Sequence, residues 1–376
     1  MRWCYSLPMK TKTKTPSVVS TSPAAVVSGF TLGLDLGDRA HHVCVLDVSG
    51  QIVREASPPN TRPALSQLLT DFPRATVALE AGTHSPWISR YLTGLGAVVL
   101  VANPRKLHAI SRNERKCDRR DAQMLARLAR ADVALLHPIE HGTAQAQHDL
   151  LGLKLRDALV RTRVNLINAV RFTLKSLGHS VCNPSSESFH KAVLANIPAD
   201  CLPVVQPLLT VLTQVTEQIK GMERDLVQRS KKDYPVTQRL QQISGVGPLT
   251  SLCFVLKIGD PERFSRGRDV GAYLGLCPRR DQSGGTDKQL RISKCGDGMM
   301  RRLLVSAAHY ILGPFGPACA LREYGQRLAG TGSAREKKRA VVAVARKLAV
   351  LLLSLWKHDA DYEPRATTPV LVMTPA

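Results

Sequence analysis

The chain has 376 residues, 44% of them hydrophobic, and its 52 Lys and Arg outnumber its 30 Asp and Glu, for a formal net charge of +22 and a pI of about 10.0. This length and apolar content suffice for two or three domains with their own cores, and the surplus of positive charge points to a polyanionic partner. Nine cysteines without a C-x-x-C pair exclude a disulfide framework and a cysteine zinc site, and the best candidate for a membrane span, Ala340–Trp356, is broken by Arg346 and Lys347 and reads as a buried or amphipathic helix.

The first 29 residues hold Arg2, Lys10, Lys12 and Lys14 and no acid, then Ser, Thr, Pro and small residues. They lack the continuous apolar segment of a secretory signal and read as a disordered basic arm, with Met9 as an alternative start. From residue 30 to about 140, strand and helix signals alternate. Thr31–Asp35, His42–Asp47 and Ile52–Glu55 are predicted strands in a meander, with Ser49-Gly50 turning the last pair. There follow a helix over Ala64–Leu69, a strand over Ala75–Glu80, a helix over Pro86–Leu95, a strand over Ala97–Ala102 and a helix from about Arg119 to Arg130. Three meandering strands, then strands separated by helices, is the order of an RNase H-like α/β fold.

Residues 141–235 change character. Two long helical segments flank a Ser-, Asn- and Pro-rich loop, Gly178 to Asp200. In the second, Val205, Leu208, Leu212, Val215, Ile219, Met222 and Leu226 step alternately by three and four, the heptad pattern of a coiled coil. Leu155, Leu159, Leu166, Val170 and Leu177 recur at related spacing in the first. An antiparallel hairpin within the chain and a self-association arm both fit, and the regular step favours the arm slightly.

Residues 236–360 are predicted mainly helical. Ile243-Ser-Gly-Val-Gly247 before a helix is the turn of a helix-hairpin-helix, where Gly245 and Gly247 let backbone N–H groups approach a phosphate. A glycine turn between two packed helices has the same pattern. Ser283 precedes Gly284-Gly285, with Arg279, Arg280, Arg291 and Lys294 around it in sequence. A serine among cations suits a nucleophile on phosphorus, and equally a phosphate-binding loop; Ser293 is the competing serine. Arg301, Arg302 and Lys337-Lys-Arg339 extend the basic surface, and residues 361–376 read as a disordered tail.

Four acids stand out in this basic chain. Asp35 and Glu80 end predicted strands, and Asp118 and Asp121 lie three apart, on one face of the predicted helix. Carboxylates on strand ends and one helix face form a hard-oxygen set for Mg²⁺, with Mn²⁺ the alternative. Such a set among basic segments suggests metal-assisted phosphoryl transfer on nucleic acid.

These motifs carry a resemblance. The chain resembles the DEDD transposases of the IS110 insertion-sequence family, including its IS1111 branch, over roughly residues 30–358. The match rests on Gly33-Leu-Asp35, Leu79-Glu80-Ala-Gly-Thr83, Asn103-Pro104, Lys116-Cys-Asp-Arg-Arg-Asp-Ala122, Ile243-Ser-Gly-Val-Gly247, Phe264, Leu274-Gly-Leu-Cys-Pro278, Ser283-Gly284 and Ile292-Ser-Lys-Cys-Gly296. It implies a RuvC-like domain (30–140) whose Asp35, Glu80, Asp118 and Asp121 bind Mg²⁺. It also implies a helical coiled-coil arm (141–235) and a C-terminal transposase domain (236–360) that supplies a serine nucleophile, here Ser283, in a composite site. The resemblance further implies a phosphoserine link to DNA, a homodimer or tetramer, and a structured guide RNA encoded by the element. The basic arm before Phe30 is outside it.

Three other readings share parts of this pattern. An actin-like metabolite kinase opens with the same Gly33-Leu-Asp-Leu-Gly37, but no second phosphate loop follows. A RuvC-like Holliday-junction endonuclease using water has the four acids but no need of the C-terminal half. A non-catalytic nucleic-acid-binding protein explains the charge and not the acids.

Overall fold

The computed structural model describes residues 29–107, 117–181 and 184–364. Most of the basic arm, Lys116 and the tail from residue 365 lie outside the described residues. The chain forms two compact units that divide between His141 and Gly142.

The first unit runs β1 (Thr31–Asp35), β2 (His42–Leu46), β3 (Ile52–Ala56), α1 (Arg62–Asp71), β4 (Thr76–Glu80), α2 (Ser85–Gly94), β5 (Val98–Ala102) and α3 (Asp118–Ala131). The sheet order is β3-β2-β1-β4-β5, antiparallel within the meander and parallel for β1, β4 and β5. Alternation along each strand sorts the faces. Leu32, Leu34, Val43, Val45, Val77 and Leu79 form a core with Leu65 and Leu68 of α1 and Ile88 and Leu92 of α2. Burial of each such side chain contributes about 1.5–3 kcal/mol.

The opposite face is built from small residues. Ala78 and Ala102 pack with Leu125 and Ala129 of α3, and Cys44 and Leu46 pack with Ala122 and Ala126. Gly33 lies in the middle of this face. A Cβ there would stand 1.9 Å from the Ala122 carbonyl oxygen and 2.5 Å from the Ala126 nitrogen. The backbones of β1 and α3 therefore touch, and only glycine allows it. Gly33→Ala is expected to lower stability by about 2–3 kcal/mol through overpacking. Gly82→Ala is the control, because its added Cβ meets nothing within 4 Å. Thermal unfolding compares the two; equal midpoints would mean that α3 is not seated on β1.

The second unit begins with α4 (Ala144–Ser176), then α5 (Phe189–Ala192) and α6 (Leu202–Asp233). α4 and α6 pair antiparallel: Arg156 binds Glu223, and Asp149 accepts hydrogen bonds from Arg229 (2.7 Å) and Tyr234 (2.8 Å). The buried row of α6 is Val205, Leu209, Leu212, Thr216, Ile219, Leu226 and Ser230. This corrects the predicted seam, in which Leu208 and Val215 held the places of Leu209 and Thr216. Composition misled here: the helix turns Thr216 inward, where its hydroxyl donates to the Leu212 carbonyl at 2.8 Å, and leaves Val215 half-buried. Burial pushes the Asp149 carboxyl up, but its bonds from Tyr234, Gln145 and Arg229 prevail and hold it below the usual range.

Next come α7 (Val236–Leu240), α8 (Pro248–Ile258), α9 (Asp269–Tyr273), β6 (Pro278–Ser283), β7 (Thr286–Ile292), α10 (Gly298–Leu312), α11 (Ala320–Ala329) and α12 (Ala334–Lys357). α8 is buried on nearly every side and centres the core, with Leu304 and Ala308 of α10 and Leu348 and Leu352 of α12 around it. The β6–β7 hairpin is absent from the sequence reading, which placed a loop there. Its charged residues alternate with no apolar set, so the periodic signal of a half-buried strand is missing. Beyond α12, Arg239 binds Asp359 and Asp361, and the Tyr362 N–H donates to Gln242 at 2.6 Å. These contacts tie down the first two residues of the predicted tail.

Candidate functional site

Asp35 and Glu80 close the adjacent parallel strands β1 and β4, one step beyond the Leu34–Leu79 pair. Asp35 follows Gly33 by two residues and Glu80 follows Ala78 by two, so both acids share the face that receives α3. α3 starts at this end of the sheet, with Asp118 and Asp121 in its first turn. Two acids there favour the helix dipole, which alone would account for the exposed Asp118. It does not account for Asp121, which is only 4% exposed.

Residues outside the predicted site set hold this end together. His42 is directly opposite Asp35 in the β1–β2 register. Its Nε2 lies 3.7 Å from an Asp118 oxygen, and its Nδ1 lies 3.1 Å from the Ser57 hydroxyl. The signal was available: counting back across the antiparallel turn after Asp35 pairs it with His42. Arg119 and Gln123 of α3 both donate to Glu55 on β3, and the Arg119 guanidinium first among them holds that carboxyl below its usual range. His41, the neighbour of His42, is fully buried, and burial lowers its pKa. The loop after Glu80 is braced by Ser85, whose hydroxyl donates to Gly82 O at 2.9 Å and lies 2.9 Å from His141 Nε2.

Among the described residues no three His, Cys, Asp or Glu side chains stand close enough together to hold a metal ion. The donor chemistry fits a hard divalent cation: carboxylates on rigid elements at one end of one face. Residues 108–116, just before α3, are outside the described residues.

The second set of predicted residues lies on and around the hairpin. Ser283 and Thr286 pair across the two-residue turn Gly284-Gly285, with Gly284 at φ +53°. Ser283 is exposed at the tip, and among the described residues no acid or base is hydrogen-bonded to its hydroxyl. Arg280 is engaged by Asp287 across the strands, whereas Arg279 and Arg291 are exposed. Ser293 sits at the root, where its backbone N–H donates to Cys277 O at 2.9 Å. Two glycines lock that root. A Cβ on Gly275 would stand 2.0 Å from Cys295 O, and one on Gly296 would stand 2.2 Å from Tyr273 O. Lys294, at φ +54°, lies between them in the chain.

The remaining predicted contacts divide. Gly245, at φ +89°, faces α10, where an added Cβ would stand 3.0 Å from Ala307 O. Packing therefore accounts for that glycine, while Gly247 is the exposed N-cap residue of α8. Arg301 donates to Leu274 O at 3.2 Å and Arg302 binds Asp157 at 2.7 Å, so both brace the fold. Among the described residues, no helix is long and apolar enough to cross a membrane.

Comparison with known proteins adds an independent finding. A DEDD transposase family model of the IS110 type matches residues 32–178, and a model described as the transposase IS116/IS110/IS902 family matches residues 237–319. The transposase for insertion sequence element IS1328 of Yersinia enterocolitica is 31% identical over 288 residues, covering 74% of this chain and 82% of its own. The transposase for insertion sequence element IS1111A of Coxiella burnetii is 29% identical over 290 residues, covering 75% and 77%. A probable family 20 transposase of Pseudomonas aeruginosa is 26% identical over 347 residues, covering 89% and 98%. A DEDD transposase domain suggests use of a divalent metal.

Proposed function

The chain belongs to the IS116/IS110/IS902 transposase family, a family of DNA-recombining enzymes, and from that premise we propose an RNA-guided recombinase that uses Mg²⁺ and a serine nucleophile. The observation that supports the proposal is that Asp35 and Glu80 end adjacent strands at the end of the sheet face where α3, with Asp118 and Asp121 in its first turn, begins, a placement set by the contact of Gly33 with α3. In this reading residues 30–140 are a RuvC-like catalytic domain, 141–235 an arm and 236–360 the transposase domain.

The four carboxylates would hold Mg²⁺, or Mn²⁺ in its place, which would supply positive charge to offset that of a scissile phosphate. His42 orients Asp118, and Glu55 holds the start of α3 through Arg119 and Gln123. Ser283 supplies the nucleophile: its hydroxyl loses a proton, its oxygen bonds to phosphorus, one bridging P–O bond breaks, and the departing oxygen gains a proton. Arg279, Arg291 and Lys294 contact phosphates, as does Arg280 once released from Asp287, and the Gly247 turn is a further backbone contact. The chain acts as a dimer or tetramer. Leu155 and Phe172, 60% and 69% exposed on the arm away from its intramolecular seam, support that reading.

The test uses purified protein, DNA carrying the element's ends and RNA transcribed from its flanks. Strand exchange is expected with Mg²⁺ or Mn²⁺, is abolished by chelation, and returns when metal is restored. Exchange that persists in chelator would exclude the metal, and exchange without RNA would exclude the guide.

A further inference from the structure

A groove of about 1980 Å³ lies between the root of the β6–β7 hairpin and α12, and Ser283 is not in its lining. One stripe of α12 lines it. Arg335, Lys338, Arg339, Arg346 and Lys347 all fall on that stripe, at helical spacings of three and four. The opposite stripe of the helix, with Val344, Leu348 and Leu352, is buried in the core. Arg291 and Lys294 face the groove from the hairpin side, and Glu363 is the one carboxylate in its lining. Among the described residues none of these seven cations forms a salt bridge, although Arg280 nearby in sequence does.

Seven like charges along one groove repel one another, so the free protein holds them at a cost that a polyanion removes. The segment that follows Pro364 does not supply the missing charge: residues 365–376 contain one arginine and no Asp or Glu. The floor decides which polyanion. Between the cations it is apolar, formed by Val342, Val350, Leu351 and Leu321, with Tyr324 beside them under Lys347 at 3.8 Å. A duplex turns phosphates outward and would leave that floor uncovered. An unpaired strand presents phosphates and base faces together, and matches both. From Arg335 to Ser354 the stripe runs about 28 Å.

We propose that this groove seats an unpaired nucleic-acid strand, its phosphates on the α12 cations and its bases on the apolar floor. The proposal rests on the recombinase reading above and shares Arg291 and Lys294 with it, but the five cations of α12 lie outside that reading. Ser283 is three residues along β6 from Arg280, the cross-strand partner of the groove residue Gln289, and so about 10 Å from the groove along the strand. The strand so held is therefore not the one bonded to Ser283 at the same nucleotide.

The test is binding by full-length protein in chelator, so that a failure of the catalytic reading cannot affect it. Fluorescence anisotropy would follow labelled 20-nucleotide single-stranded DNA, the RNA of the same sequence, and a 20-base-pair duplex across a salt series. Arg335 and Arg339 are exposed, so the variant Arg335→Gln/Arg339→Gln should fold as wild type does. With two phosphate contacts removed, the salt slope for single strands should fall by about 1.4 and affinity by about 20-fold at 0.1 M salt. Ala343→Asp, which adds a carboxylate to the middle of the stripe, should also weaken single-strand binding. Loss in the RNA arm alone or the DNA arm alone supports the proposal and names the strand; loss in both supports it with the shared backbone as ligand. Unchanged single-strand binding by both variants, or an equal loss on duplex, overturns it.

Discussion

Asp118→Ala and Asp121→Asn are each expected to abolish strand cleavage while leaving nucleic-acid binding intact. The two tests differ usefully in structure. Asp118 is exposed at the start of α3, so its truncation removes no packing. Asp121 is buried, so an isosteric amide is used to keep the volume and remove the charge. Loss of one metal-holding carboxylate should lower the cleavage rate at least about 1,000-fold, equivalent to about 4 kcal/mol of transition-state stabilisation. Binding should move the other way, if at all, because removing an acid from a chain of net charge +22 strengthens attraction to phosphates. Single-turnover cleavage of labelled DNA and anisotropy under the same salt separate these effects. Cleavage by both variants at wild-type rate would remove the tetrad from the mechanism. Loss of binding in parallel with cleavage would point to a folding defect, which thermal unfolding would expose.

Ser283→Ala is expected to eliminate any covalent protein–DNA adduct. The residue is at an exposed hairpin tip in extended backbone, and alanine accepts that conformation, so the fold should be untouched. Wild type and variant would be incubated with Mg²⁺, end-flanking RNA and labelled junction DNA, then run on a denaturing protein gel. An adduct in wild type alone assigns the nucleophile. An adduct in both would shift the assignment to another residue, of which Ser293 is the first to test. No adduct in either, with cleavage that still depends on Asp118, would mean that water is the nucleophile and that Ser283 only binds phosphate.

Much of the first unit was legible because its signals are local. Thr31–Asp35 and Thr76–Glu80 are apolar runs closed by an acid, and the strand period sends alternate residues to opposite faces whatever their partners are. The order of strands and helices then restricts the topology, and the acids at the strand ends follow from it. The arm was legible as a pair of helices but not in its seam. Leu208 and Leu209 are adjacent, and both steps of three and four pass through the same helix; the choice between them is made by α4, which the α6 sequence does not contain. The hairpin escaped altogether, since Pro278–Ser283 is held by its partner strand and by the glycine lock at its root, both remote from any periodicity of its own.

By itself, then, the amino-acid order determined the α/β unit followed by helices, the basic character that calls for a polyanion, and the positions of Asp35 and Glu80 at strand ends and of Asp118 and Asp121 at a helix start, because each of these depends on residues within one strand or one helical turn. Tertiary structure alone decided that His42 meets Asp118, that Gly33 lets α3 touch the sheet, that Ser283 is at a hairpin tip, and that the cations of α12 line one groove. Each of these joins segments distant in the chain. Such contacts depend on which faces pack together, and packing is a property of pairs of elements that no single stretch of sequence encodes.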